Sequence, residues 1–409
     1  MSFPADKSFL KSGHLPTLLA AFLYFDFSFM CWVLLGPLGI QISKALQLDP
    51  AHKGLMVATP VLAGALLRIF NGVMVDHFGA KKAGIFAQVV VILGLIAAWY
   101  FGVPSFDAIL LVGVTLGMGG ASFAIALPMA SRWYPPEHQG KAMGIAGAGN
   151  MGTVIASLAA PALGLAFGWV NVFGMAALFM CFVLVAFICL AKDAPTQPPK
   201  QTLAGYLRVL TISDTWWFML FYAVTFGGFV GLASSLSIYF HSQYGLAPVQ
   251  AGYAVAACVF AGSLFRPIGG WLADRIGGVA ALSVLYVVAA AMLILISFGL
   301  PTLPMALAAF IIAMLALGTG NGAVFQLVPI RFGREIGTMT GLVGCAGGIG
   351  GFYLASSLGF SKQWTGSYQS GFLIFAGLAT VAFIGINIVK KHWRASFSQG
   401  FASGVVPKI

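Results

Sequence analysis

Three ionisable side chains stand deep inside long apolar runs: Asp26, Arg68 and Arg266. An arginine at the centre of a spanning helix costs about 2.5–3.5 kcal/mol, so the pair sets about 5–7 kcal/mol against folding unless something offsets it. Only one carboxylate, Asp26, is available at that depth, and one carboxylate cannot neutralise two guanidinium groups. One net positive charge remains, and it calls for a mobile anion. Guanidinium is planar, permanently charged and a rigid fork of donors. It suits small planar oxyanions such as nitrate, nitrite or a carboxylate.

The elements that carry these residues follow from composition. The 409-residue chain is 60% hydrophobic and 8% charged, against roughly 25% charged residues in soluble domains. A spanning helix needs about 20 apolar residues, and twelve such stretches can be read, from 15–36 to 368–389. This predicts an all-α polytopic membrane protein. Arg68 precedes the polar Asp76 by eight residues, which places it about 12 Å deep at 1.5 Å per residue. The first apolar stretch is span-length and no small-residue cleavage site follows it, so no cleavable signal is expected. With the N-terminus placed inside, 16 of the 21 Lys and Arg residues fall in inner segments. Only Lys44, Lys53 and Lys362 fall outside, and the remaining two lie within spans. The positive-inside rule then puts both termini in the cytoplasm, and short loops point to a prokaryotic inner membrane. The net charge of +11 is mostly this topology signal and implies no nucleic-acid partner.

The chain repeats itself. Gly64, Arg68, Gly72, Asp76 and Gly79 recur without gaps as Gly262, Arg266, Gly270, Asp274 and Gly277, at a constant offset of 198. Gly140 to Gly152 aligns with Gly337 to Ile349 at offset 197, and Gly117 and Pro128 align with Gly318 and Pro329 at offset 201. A Pro-containing loop from Lys192 to Ser213 divides the spans six and six. The expected divisions are a first half at 1–191, a linker at 192–213, a second half at 214–391 and a tail at 392–409. Two parallel six-span halves resemble the plan of the major facilitator superfamily. The run from Gly72 through Asp76 and Gly79 to Lys82 resembles that superfamily's loop signature between spans 2 and 3. The run from Gly270 through Asp274 and Arg275 to Gly277 resembles its degenerate copy between spans 8 and 9. An Asp at a helix end can pair with a neighbouring basic residue there, so Asp76, Asp274 and Arg275 are candidates for a cytoplasmic latch. The expected architecture is a major facilitator fold with two pseudo-symmetric six-helix halves.

Spans 5 and 11 are dense in glycine. Gly144, Gly147 and Gly149 stand in the first, and Gly341, Gly344, Gly347, Gly348 and Gly351 in the second. Spacings of four, such as Gly140/Gly144 and Gly347/Gly351, allow close helix approach, and the density suggests sliding or gating surfaces. The run Gly144-Ile-Ala-Gly-Ala-Gly-Asn150-Met-Gly-Thr resembles one of the paired signatures of the nitrate/nitrite porter family, the NarK- and NasA-like proteins. The run from Gly341 to Phe352 resembles the other. Gly119-Gly-Ala-Ser-Phe123 and Tyr222-Ala-Val-Thr-Phe226 add to the likeness, which covers essentially the whole chain. The resemblance implies that Arg68 and Arg266 bind the anion, with Asn150 and Tyr222 hydrogen-bonding nearby. It also implies that Phe123 and Phe226 sandwich a flat substrate. The function it implies is secondary transport of nitrate or nitrite by alternating access, in a protein working as a monomer.

Coupling turns on Asp26. An isolated buried carboxylate can exchange a proton, which makes proton-coupled nitrate import one reading. An Asp paired with an Arg or holding backbone would leave nitrate/nitrite antiport, and a formate- or oxalate-type exchanger is the further alternative. No paired carboxylates, metal-ligand cluster, phosphate-cradling loop or nucleophile–base set is legible, so neither an enzyme, a metal nor a cofactor is expected. The six histidines lie almost all at loops or span ends. The five cysteines form no CxxC pair and read as packing residues.

Overall fold

The computed structural model describes residues 9–195, 203–332 and 335–398. It is built of helices, twelve of its segments being long and apolar enough to cross a membrane. In the first half these are α1 (Leu15–Trp32), α3 (Pro50–Phe78), α4 (Ala80–Phe101), the pair α5 (Phe106–Gly120) and α6 (Phe123–Ser131), the pair α7 (Pro136–Gly147) and α8 (Gly152–Phe167), and α9 (Trp169–Leu190). A short α2 (Gly39–Ala45) follows the first span. In the second half the spans are α11 (Ser213–Tyr244), α12 (Pro248–Ile276), α13 (Gly278–Ser297), α14 (Leu303–Arg331), α15 (Ile336–Thr365) and α16 (Gln369–Ser398). Between the halves a short α10 (Leu203–Leu210) lies within the stretch expected to be linker, and α16 continues past the expected start of the tail at 392.

The crossings alternate, so the helix ends fall on two faces. The terminal face carries the start of α1 and the end of α16; the distal face carries the opposite ends. Local chemistry sets these ends. Pro50 sits at the first position of α3, and the Asp49 carboxylate accepts a 2.8 Å hydrogen bond from the His52 backbone N–H. Proline lacks the donor that would go unpaired there, and an Asp cap satisfies another. At the terminal face α3 passes into α4 through Gly79 alone and α12 into α13 through Gly277 alone, at φ +88° and +93°. Side-chain-bearing residues rarely adopt such angles.

The repeat is visible in backbone conformation. The described residues with left-handed φ fall into four pairs: Gln47 with Gly245, Gly79 with Gly277, Gly102 with Gly299, and Gly168 with Gly366. Their offsets are 198, 198, 197 and 198, matching the sequence repeat. The halves are not identical in continuity. The fourth span is broken at Ala121–Ser122 and the fifth by a 3-10 turn over Ala148–Met151, whereas their counterparts α14 and α15 run unbroken.

The halves meet along two symmetry-related seams, α3 against α15 and α8 against α12. Small residues make the approach possible. A Cβ on Gly348 would lie 2.5 Å from the Ala65 Cβ, and one on Gly359 would lie 2.8 Å from the Gly54 Cα. Across the other seam a Cβ on Gly252 would collide with the Ser157 carbonyl oxygen. These contacts seal the distal portion of the interface. The spans α4, α9, α13 and α16 stand at the periphery and carry exposed apolar side chains such as Leu93, Phe182, Val284 and Ile388, the surface a bilayer would cover.

Candidate functional site

Arg68 and Arg266 stand at equal depth. Each lies 18 residues from the distal start of its 29-residue helix and ten from its terminal end. The ten residues amount to about 15 Å of helix at 1.5 Å per residue. Arg68 is fully buried. Its Nε donates to the Gly120 carbonyl oxygen at 3.1 Å and its Nη1 to the Gly344 carbonyl oxygen at 2.6 Å. The break after α5 accounts for the first acceptor, since helix ends leave carbonyls without intrahelical partners. Arg266 is half-buried and donates from Nη2 to the Tyr222 hydroxyl oxygen at 3.4 Å. One nitrogen on each guanidinium, Nη2 of Arg68 and Nη1 of Arg266, is buried with no hydrogen-bond partner.

Aromatic rings wall this space. The Phe123 ring lies under both cations, its centroid 5.6 Å from Cζ of Arg68 and 5.4 Å from Cζ of Arg266. Phe226 lies 4.9 Å and Trp32 5.6 Å from the Arg68 Cζ. Tyr222 and Phe226, one turn apart on α11, are stacked at 5.1 Å and 3°. Phe226 also lies nearly parallel to Trp32, at 6.3 Å and 11°. Phe325 of α14 meets Tyr222 edge-on at 5.0 Å and approaches Phe123 at 5.7 Å. Thus Arg68, Arg266, Tyr222, Phe123 and Phe226 come together, with both phenylalanines against the Arg68 guanidinium.

Asn150 is buried within the 3-10 turn, its Oδ1 unpartnered. That turn packs between α1 and α12. Asp26 on α1 is also buried, and one of its oxygens has no partner. The Gly152 backbone amide, at the start of α8, faces its carboxyl group. Among the described residues no ion pair joins Asp26 to either arginine. Among the described residues no carboxylate lies within ion-pair distance of the two central cations.

The glycines divide by role. Gly344 packs on Arg68, Gly347 on Tyr222 and Phe226, Gly348 on Ala65 and Gly351 on Val230 and Val61. Gly341 is half-buried. Gly147 has open space where a Cβ would stand; of Gly144 and Gly149 only the backbone path is described. At the terminal face Asp76 pairs with Arg132 at 3.7 Å, a contact within the first half. Asp274 is exposed, and Arg275 lays its guanidinium 4.1 Å from the Trp271 ring centroid.

Sequence reasoning did not single out Trp32, Phe325, Asn71 or Asn321. Asn71 and Asn321 are buried with neither amide atom hydrogen-bonded. Asn71 was within reach of pattern reading, since it follows Arg68 by three residues and shares its helix face. Trp32 and Phe325 carry no local signal. A second unforeseen feature is the burial of Asp214, the second residue of α11. Asp214 holds the Arg331 Nε at 2.5 Å and accepts from the Trp393 indole N–H at 2.9 Å.

Twelve spans in two repeated halves around a cationic centre define a membrane transporter. The sequence profile described as Major Facilitator Superfamily matches residues 18–355. A nitrite extrusion protein of Bacillus subtilis is 32% identical over 90% of this chain and 91% of its own length. A probable nitrate/nitrite transporter, NarK2, of Mycobacterium tuberculosis is 32% identical over 87% of this chain and 91% of its own. A bacterial homologue of the human lysosomal transporter Spinster, solved inward-facing and unoccupied, superposes with a TM-score of 0.73. It is 18% identical, with 98% of this chain and 100% of that one covered, and its likeness bears on fold alone. The chain belongs to the major facilitator superfamily and, within it, to the nitrate/nitrite porter family.

Proposed function

We propose that the protein is a secondary transporter of nitrate, nitrite or both, working by alternating access around Arg68 and Arg266. The observation that carries this reading is the pair of unpartnered guanidinium nitrogens, Arg68 Nη2 and Arg266 Nη1, buried at one depth against a shared phenylalanine ring. A buried cationic donor without an acceptor is costly, and a planar anion between the two forks would satisfy both at once. The names of the relatives favour nitrate and nitrite over a carboxylate. In this reading Phe123 and Phe226 flank the anion, and Tyr222 and Asn150 complete its hydrogen bonding. Binding offsets the central charge and favours closure of the halves, a shift between pre-existing states. The glycines of α15 are its sliding surface, and the Asp76 loop and its copy at Asp274 and Arg275 latch the terminal face.

Both termini lie in the cytoplasm, and the working unit is a monomer with halves at 1–191 and 214–391, a linker at 192–213 and a tail at 392–409. The terminal face is then cytoplasmic and the distal face outside. For coupling, Asp26 serves as the proton carrier of nitrate import. A second reading is nitrate/nitrite antiport. It is favoured by the placement of the Asp26 carboxyl on the Gly152 backbone amide. Nitrate uptake into proteoliposomes, with and without internal nitrite and an imposed pH gradient, tests the substrate and its coupling. Uptake driven by the pH gradient alone supports import with protons, and uptake requiring internal nitrite supports exchange. No flux of nitrate or nitrite under either condition overturns the assignment.

A further inference from the structure

A cavity of about 420 Å³ opens at the distal end of the seam between the halves. All three lysines assigned to the outer side of the chain, Lys44, Lys53 and Lys362, line it. They come from separate elements: Lys44 from α2, Lys53 from the start of α3 and Lys362 from the end of α15. His241, at the end of α11, joins them. Outward-facing basic residues are depleted in inner-membrane proteins, so the convergence of all three on one cavity is unexpected for scattered surface charge.

The lining is suited to an anion. Among the described residues no Asp or Glu borders the cavity. The neighbouring Asp49 is engaged elsewhere, capping α3 and lying 2.7 Å from His52 Nδ1. Ser43 lines the cavity and is 6% exposed, and its hydroxyl has no hydrogen-bond partner. The Lys362 ammonium donates to the Gly366 carbonyl oxygen at 2.8 Å and stands 5.3 Å from the Tyr368 ring centroid. That bond fixes its head at the rim and leaves donors over, since an ammonium carries three.

We infer that this distal cavity is a second, outer anion-binding site, which captures small inorganic anions from the distal side before the seam opens to Arg68 and Arg266. The inference rests on the anion-carrier reading and on the orientation proposed above. Lys53 precedes Arg68 by 15 residues on the same helix, about 22 Å at 1.5 Å per residue, and the glycine contacts of the α3–α15 seam separate the two sites. A cleft walled by one sign of charge concentrates counter-ions and speeds their arrival by about 10–1000-fold, an effect that falls with ionic strength. Because Lys44 and Lys53 belong to one half and Lys362 to the other, an anion held among them also bridges the closed seam.

The test uses the full-length protein in proteoliposomes of defined orientation. The triple variant Lys44→Gln, Lys53→Gln, Lys362→Gln is compared with the triple Lys→Arg variant and the native chain. The expected result at low salt is a KM for distal-side nitrate raised about ten-fold in the Gln variant, with Vmax within two-fold. The salt dependence of KM is lost, and both are retained by the Arg variant. An unchanged KM and unchanged salt dependence in the Gln variant overturn the inference. A second measurement is independent of transport: acylation of the three lysines by a membrane-impermeant succinimidyl reagent, read by mass spectrometry, in the native chain and in Arg68→Ala. Protection by nitrate over gluconate at equal ionic strength is expected in both proteins. Equal labelling in nitrate and gluconate overturns the outer site. Protection of a native chain that shows no nitrate flux overturns the carrier reading alone.

Discussion

Arg68 donates through Nη1 to the carbonyl oxygen of Gly344 at 2.6 Å, a hydrogen bond that crosses from α3 in one half to α15 in the other. A backbone carbonyl satisfies a donor without cancelling the charge behind it. The guanidinium is therefore anchored on two sides, by Gly120 and Gly344, while it keeps its full positive charge and one free nitrogen.

Anchoring of this kind needs the planar fork. Arg68→Lys keeps the charge but cannot hold both carbonyls and present a further donor in plane. Each charge-assisted bond is worth about 1.5–3 kcal/mol. Nitrate uptake in proteoliposomes is expected to fall about a hundred-fold or more, at 1.4 kcal/mol per factor of ten. Near-native uptake would remove the anchored geometry from the mechanism.

The Asp26 variant separates the two coupling schemes. Asp26→Asn keeps the size of the side chain and removes the exchangeable charge. If this residue carries the proton, the variant loses its response to an imposed pH gradient and keeps nitrite-driven exchange. A response equal to that of the native chain takes Asp26 out of the coupling step.

The distal seal rests on the absence of a side chain at Gly348. Gly348→Val would press into Ala65 and the Val61 carbonyl oxygen, an overpacking cost of about 1–3 kcal/mol against the closed seam. Turnover should fall. A cysteine placed at Val57, which lines the distal cavity, should react faster with a membrane-impermeant maleimide. Unchanged labelling would show that the seam tolerates the bulk.

His14 caps α1 from outside the span. Its Nδ1 accepts from the Thr17 backbone N–H at 3.2 Å and lies 2.8 Å from the Thr17 hydroxyl. Burial and the nearby Lys192 charge hold its pKa below the usual 6.5. Protonation thus reaches the unfolded chain first as pH falls, and the cap's contribution, complete above about pH 6.5, is lost as pH drops through the lowered folded value. Thermal unfolding in detergent should show a decline between pH 7.5 and pH 5 that His14→Asn abolishes. A parallel decline in the variant would assign the pH response to other groups.

Much of the architecture was legible because a bilayer imposes strong rules. Apolar length located the twelve spans to within a few residues at most ends, and the constant offset placed Arg68 and Arg266 at one depth. The interior of the site was legible only in part. Trp32 and Phe325 are two among 9 Trp and 35 Phe, and what distinguishes them is contact between spans far apart in sequence. The Gly344 carbonyl is a backbone atom, which a residue pattern cannot single out. The break at Ala148–Met151 was hidden because the surrounding glycines read equally well as close packing along a continuous helix. The Asp76 partner, Arg132, lies at the end of α6, and the Asp214–Arg331 pair joins α11 to α14; neither spacing repeats in the other half.

The four left-handed pairs have one more consequence. Gly79 and Gly102 bracket α4, and Gly277 and Gly299 bracket α13. The bracketed helices hold 22 and 20 residues, about 33 and 30 Å of rise. A bilayer's hydrocarbon core is about 30 Å thick. These corners behave as a ruler cut into the chain: each marks off one bilayer's worth of helix, and a one-residue difference between the twins is taken up before the next pair.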